Sequence, residues 1–328
     1  MRLLPWQQDN WQQLMRQWQQ LPHALLLTGP HGIGKAAFAE QLAASLLCER
    51  PRDDHLPCGA CQSCHWMLQN SHPDFRVLRA DEEEDKDKPR KLAQIKIEAV
   101  RDLIDFAHLS AHRSGRRVVM IDPADALNTA AANALLKILE EPPEGVHFLL
   151  SSDHPHALLP TLRSRCRVFP LSMPDWKQAL QWLDQQGVKQ ADAELALAGG
   201  APFALDDAEL VKQREALLKV LLSPSVLGIL DVAQQLDRAR LPFAIPLAWL
   251  DKWLHDLAVV RYQRPARFYP NHTAALQGLA ERISPIALMQ FHDQLQQRLP
   301  FGQHTLNLRL QLEAILLAYA ALFPSLSH

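Results

Sequence analysis

Leu25-Leu26-Leu27-Thr28-Gly29-Pro30-His31-Gly32-Ile33-Gly34-Lys35-Ala36-Ala37 is the stretch on which the fold turns. The leucine run predicts a buried strand, the glycines a turn whose backbone approaches a ligand closely, and Ala36 to Leu47 a helix. Gly29 to Lys35 spells G-x-x-x-x-G-K, the pattern of a P-loop, in which backbone N–H groups and a helix N-terminus cradle phosphate. Gly29, Gly32, Gly34 and Lys35 are therefore candidate phosphate-binding residues. One position breaks the pattern. The residue after the lysine normally gives a hydroxyl to Mg²⁺, and Ala36 has none.

Further along, Arg117-Val118-Val119-Met120-Ile121-Asp122 has the form of a buried strand ending in a carboxylate, which in nucleotide hydrolases orients Mg²⁺. The next position usually holds a water-activating Glu in such enzymes, and here it is Pro123. Asp125, displaced from that position, is expected as a helix cap. Asn128 to Glu141 reads as a helix with Leu127, Ala131, Ala134, Leu135 and Ile138 on one face, stopped by Pro142-Pro143. Val146 to Leu150 and Val168 to Leu171 add short apolar strands, and this alternation with helices is the pattern of a parallel α/β sheet.

Between those last two strands lies Leu159 to Arg167, with Arg163, Arg165 and Arg167; composition alone makes this a solvated basic turn. Upstream, Trp11, Leu14, Met15 and Trp18 give Pro5 to Gln20 one apolar stripe and predict one helix. Ser71 to Leu78 reads as a turn feeding a strand. Ile97, Val100, Leu103, Ile104 and Ala107 mark a helix that ends near Ser114-Gly115. The charge run Asp81 to Lys88 is expected to be a solvated loop without a site.

Four of the five cysteines, Cys48, Cys58, Cys61 and Cys64, form a C-x9-C-x2-C-x2-C cluster. Two-residue spacing lets successive thiolates converge on one tetrahedral ion, and four sulfurs leave no position for water, so a zinc held here is structural. A Cys3His set using His55 or His65 is the alternative ligand set, and four buried free thiols the plain one.

At 328 residues the chain is long for a single core and predicts about two or three domains. Its formal net charge of −2 supplies no field that would draw the chain by itself onto nucleic acid or an anionic membrane, so any DNA contact is local or shared with partners. The N-terminal stretch lacks the apolar core of a signal peptide, and Ala314 to Phe323 is about half a membrane span. A cytoplasmic protein with no membrane partner is expected.

The C-terminal half is helical in pattern. Pro174 to Leu210 shows short stripes through Trp176, Leu180 and Leu183 and through Leu195 and Leu197; a polar bridge is expected near Asp206 to Gln213. Leu247, Leu250, Trp253, Leu254 and Leu257, and then Leu308, Leu312, Ile315, Leu316 and Tyr319, mark buried helix faces.

The near-P-loop, the four-cysteine insert after its helix, the VVMID strand, NALLKILEEPP and LRSRC, in this order from Leu25 to Cys166, resemble the bacterial clamp-loader subunits, a family of AAA+ proteins. The resemblance implies an α/β P-loop (AAA+, RecA-like) domain over residues 1–172, with the zinc module at about 48–64. A small helical lid follows at 173–210, and an all-α collar for oligomerisation at 211–328. It also implies a place in a ring that uses ATP to set the sliding clamp on primed DNA, beside the gamma/tau ATPase subunits and the delta subunit, as part of a DNA-directed DNA polymerase holoenzyme.

In that family the Ser-Arg-Cys motif, here Ser164, Arg165 and Cys166, supplies an arginine finger in trans to nucleotide on the neighbouring subunit, and the cysteine is a buried helper. The departures at Ala36 and Pro123, and the absence of a sensor arginine in Gly200-Ala201-Pro202-Phe203-Ala204, point to the family's non-hydrolysing stator branch, with no intrinsic ATPase. The sequence leaves open whether the loop still holds phosphate passively. The competing readings are an active clamp-loader ATPase, in which water or Asp125 compensates, and a zinc-based DNA-binding module, which Glu49, Asp53 and Asp54 beside the cysteines count against.

Overall fold

The computed structural model describes residues 3–79, 94–113, 115–298 and 308–323. The charge run Asp81 to Lys88 and Ser114 lie outside the described residues. The chain divides into two compact units: the first takes in everything described before Val188 together with Gly200–Ala204, the second Val188–Gly199 and everything described from Leu205 onward. The stretch expected as a lid thus contributes to both units.

The first unit is built on a parallel five-stranded sheet in the order β2-β3-β4-β1-β5, with β1 at Ala24–Thr28, β2 at Phe75–Arg79, β3 at Arg117–Asp122, β4 at Val146–Ser152 and β5 at Arg167–Pro170. Parallel strands covered on both faces read as continuous apolar runs, and every residue of β1 is buried. The expected parallel α/β core is the one observed. Thr28 of β1 pairs with Ser152 of β4, and Ile121 of β3 with Leu150 of β4, so the C-terminal ends of these strands share one edge of the sheet. In open α/β sheets ligands bind at that edge.

Helix α1 spans only Gln8–Met15, flanked by single 3-10 turns at Pro5–Gln7 and Trp18–Gln20, so the single helix expected from Pro5 to Gln20 is broken. Trp11, Leu14 and Met15 are buried as the stripe requires, and Trp18 is half-buried. Helix α2, Lys35–Leu47, follows the glycine loop and fills one face of the sheet with Phe38, Leu42 and Leu47. Beyond it come α3, Gln62–Leu68, and α4, Ile97–His108. Then follow α5, Thr129–Glu140, and α6, Pro160–Arg163, with α4 and α5 covering the other face of the sheet. Asn128 caps α5, its side chain accepting the Ala131 N–H at 2.8 Å. Helix α7, Trp176–Gln185, buries Ala179 and Leu183 but leaves Trp176 exposed, contrary to the expected stripe. Trp182 of the same helix packs between Trp6 and Phe203.

The second unit is helical: α8 (Ala191–Leu197), α9 (Ala208–Leu222), α10 (Val226–Arg238), α11 (Ala244–Val260), α12 (Thr273–Ala280), α13 (Pro285–Arg298) and α14 (Leu308–Ala320). The expected stripes on α11 and α14 are buried except for the half-buried Leu308, and Trp253 donates to the Tyr319 hydroxyl at 2.9 Å inside that core. The stretch expected as a polar bridge lies largely within α9, and Gln213 and Arg214 are buried. The Gln213 amide is satisfied by Glu209 and Gln235, and the charge of Arg214 is matched by Glu194 at 2.5 Å and by Asp206. Asp256 is fully buried and accepts the N–H groups of Arg267, Phe268 and Tyr269 at 2.7–2.9 Å, which fixes the bend before α12. Among the described residues, no helix is long and apolar enough to cross a membrane.

Candidate functional site

The glycine loop leaves β1 at the shared edge of the sheet, and all three of its glycines adopt positive φ: Gly29 151°, Gly32 75° and Gly34 90°. Close approach accompanies each: a Cβ on Gly29 would stand 2.9 Å from Leu171 O. A Cβ on Gly32 would stand 2.4 Å from the Ala204 Cβ, and one on Gly34 would stand 2.5 Å from Leu4 Cδ1. The loop is tied down through its carbonyls. Phe203 N–H donates to Gly32 O at 2.8 Å, the Trp6 indole to Ile33 O at 3.0 Å and the Gln7 amide to Gly34 O at 2.8 Å.

Lys35 is 6% exposed and already partnered. Its Nζ donates to Gly29 O at 2.9 Å and Pro30 O at 2.6 Å and pairs with Asp153 Oδ1 at 2.5 Å. The other Asp153 oxygen meets His31 Nδ1 at 2.7 Å. Burial opposes ionisation of Asp153, but the hydrogen bonds from His31 and Lys35 outweigh it and hold the carboxyl down at about 2. The same hydrogen bond raises the His31 pKa. A carboxylate thus occupies the lysine that a phosphate would neutralise. Asp153 was not identifiable from sequence; the available signal was its place just after β4, the strand paired to β1.

Asp122 ends β3 as expected and accepts a hydrogen bond from the Ser151 hydroxyl. Asp125 does not cap a helix. From the 3-10 turn Ala124–Ala126 it accepts the Ser152 hydroxyl at 2.6 Å and the N–H groups of Asp153 and His154 at 2.8 and 3.1 Å. It therefore braces the loop that carries Asp153, because the end of β4 is closer in space than the helix that follows it in sequence.

Arg165 follows α6. Its Nε donates to Glu140 Oε1 at 2.7 Å, its Nη2 pairs with the same oxygen, and its Nη1 donates to Thr161 O at 2.7 Å. Its side chain is 29% exposed and that of Glu140 is 48% exposed. Ser164 Oγ donates to the same Thr161 carbonyl at 3.0 Å. Cys166 is packed in the core beneath, where burial pushes its thiol up to about 11.

Cys48 at the end of α2, Cys58, Cys61 at the cap of α3 and Cys64 within it converge, all four sulfurs lying within 4.8 Å of one another. The closest Sγ separations are 3.7–3.9 Å. Four ligands at about 2.3 Å around a tetrahedral zinc stand about 3.8 Å apart, so the cluster fits such an ion. The Ala60 N–H, followed by the Cys61 N–H, draws the Cys58 thiol down to about 6, while burial pushes Cys48 and Cys64 up. Backbone N–H donors to sulfur suit a cluster of thiolates. The His55 ring is stacked on Trp18 at 4.8 Å, and among the described residues the converging set consists of the four cysteines.

A parallel sheet whose first strand runs into a glycine loop and helix, with a strand-end carboxylate at the same edge, defines a protein of the P-loop class. Comparison with known proteins narrows the class. The family model for the DNA polymerase III delta subunit matches residues 6–175. DNA polymerase III subunit delta' of Pseudomonas aeruginosa is 36% identical over 98% of both chains, and that of Yersinia pestis 33% identical over 93% of this chain and 90% of its own. The gamma/tau subunit of Mycobacterium bovis is 33% identical over 64% of this chain and 37% of its own length. The chain belongs to the delta-prime family of DNA polymerase III.

Proposed function

We propose that this chain is a stator subunit of the bacterial clamp loader: it hydrolyses no ATP itself and lends Arg165 in trans to nucleotide on a neighbouring ATPase subunit. The observation that carries the reading is the pairing of Lys35 with Asp153 and with two carbonyls of its own loop. A lysine so engaged has its charge neutralised before any phosphate arrives, and Ala36 and Pro123 offer neither a ligand for Mg²⁺ nor a base for water. Arg165 stands in contrast, a partly exposed guanidinium suited to neutralising charge that develops on a transferring phosphoryl group.

In this reading the partners are the gamma/tau ATPase subunits and the delta subunit within the DNA polymerase III holoenzyme, and the sliding clamp and primed DNA are met through the complex. Relatedness to both delta' and gamma/tau proteins supports membership of one assembly. Residues 1–172 serve as the AAA+ domain, 173–210 as the lid and 211–328 as the collar, and Cys48, Cys58, Cys61 and Cys64 hold a structural zinc. Steady ATP turnover by the purified chain, abolished by Lys35→Ala, would overturn the stator reading in favour of an active ATPase. For the metal, Cys61→Ser is expected to release about one zinc per chain and to lower stability, since binding and folding are coupled.

A further inference from the structure

Glu140 is the last residue of α5, where the helix dipole disfavours a carboxylate. Its oxygen nevertheless lies against two nitrogens of Arg165, and the third contact of the guanidinium is a carbonyl of α6, the short helix just before it. The arginine is thus gripped along its Nε–Nη2 edge by a group from a separate helix, while both terminal nitrogens carry further N–H donors. The paired side chains are partly exposed, so the contact contributes little to stability. Its chemical effect is on orientation: a long, flexible cation is held in one direction before any partner arrives.

We infer that Glu140 is the positioning residue for Arg165, fixing the guanidinium so that its remaining terminal N–H donors meet an anionic oxygen on the neighbouring subunit. This rests on the reading of Arg165 as a trans-acting finger. The carboxylate reduces the net charge that Arg165 presents, so the two possible effects of Glu140 oppose each other; pre-orientation governs here because misplacement by about 1 Å can cost about a hundredfold in rate. A hydrogen-bond acceptor is what the role requires. A negative charge is not.

The test uses the complete clamp-loader complex reconstituted with this chain and compares ATP turnover for four variants. Glu140→Ala is expected to lower kcat about fivefold with KM for ATP unchanged. Glu140→Gln, which keeps an acceptor oxygen without the charge, is expected to stay within about twofold of the parent. In an Arg165→Ala background, Glu140→Ala is expected to cost nothing further, which a merely structural role would not give. A complex in which Arg165→Ala impairs turnover while Glu140→Ala leaves it unchanged, raises it, or adds its full loss on top of Arg165→Ala overturns the positioning role and leaves the finger standing. If Arg165→Ala itself has no effect, the finger reading falls and this inference falls with it.

Discussion

Lys35 and Arg165 are two cations of the same α/β unit in opposite circumstances. Lys35 is buried, and its ammonium meets two carbonyls and a carboxylate held down at about 2. Arg165 is partly exposed, and its acidic partner is itself half open to water. A buried, fully matched charge is part of the architecture, because removing either partner leaves the other uncompensated. A partly exposed guanidinium held along one edge keeps terminal N–H donors that can meet a second anion. The comparison therefore separates a cation committed to its own loop from one that keeps N–H donors to spare.

The widest separation is expected in turnover. Arg165→Ala should reduce hydrolysis at the site it serves in the reconstituted complex by about a hundredfold, or about 2.7 kcal/mol in barrier, with ring assembly intact by size-exclusion chromatography. Equal hydrolysis would break the comparison on its exposed side. Lys35→Ala should leave that turnover within about twofold of the parent while destabilising the chain by about 2 kcal/mol in urea unfolding, since Asp153 loses its closest cation. A turnover loss matching that of Arg165→Ala would mean that the loop works on nucleotide after all.

Acid titration sharpens the buried side. Asp153 lies below its ordinary value of 3.8, so its contribution is complete above that value and is lost as pH falls towards about 2. Allowing for screening at its exposed edge, about 1–2 kcal/mol of unfolding free energy should disappear over that window and be missing from Asp153→Asn. The smallest effect belongs to His31, whose pKa is raised above 6.5 and whose ring is 74% exposed. Its contribution is present below 6.5 and lost as pH rises through the folded value, and solvent screening keeps it small, so His31→Ala should flatten only a shallow loss of stability as pH rises above 6.5.

The strands and their loop were legible because each is a local pattern: β1 and β3 are mostly continuous apolar runs, β4 has an apolar centre at Phe148 to Leu150, and the glycines fall where the turn needs positive φ. The cysteines were legible for the same reason, their spacing being enough to bring the sulfurs together. Asp153, Asp125 and Glu140 were not, because each acts on a residue brought near only by the order of strands in the sheet or the packing of helices. The N-terminal helix was overestimated because a stripe marks a buried face without marking where the backbone tightens into 3-10 turns. Gln213 was misread for a related reason: it is buried on α9, where Glu209 one turn back and Gln235 of α10 satisfy its amide.

The contact between Gly32 and Ala204 limits what single substitutions in this loop can achieve. Ala204 lies where a Cβ on Gly32 would stand, and the Phe203 N–H is bonded to the loop, so the turn expected to carry a sensor arginine is committed to packing. Placing a serine at Ala36 or a glutamate at Pro123 would leave the loop lysine paired with Asp153 and the turn still closed on Gly32. A variant meant to open this loop to a ligand therefore has to change the neighbour of Gly32 as well, because the packing of one alanine against one glycine holds the turn in place.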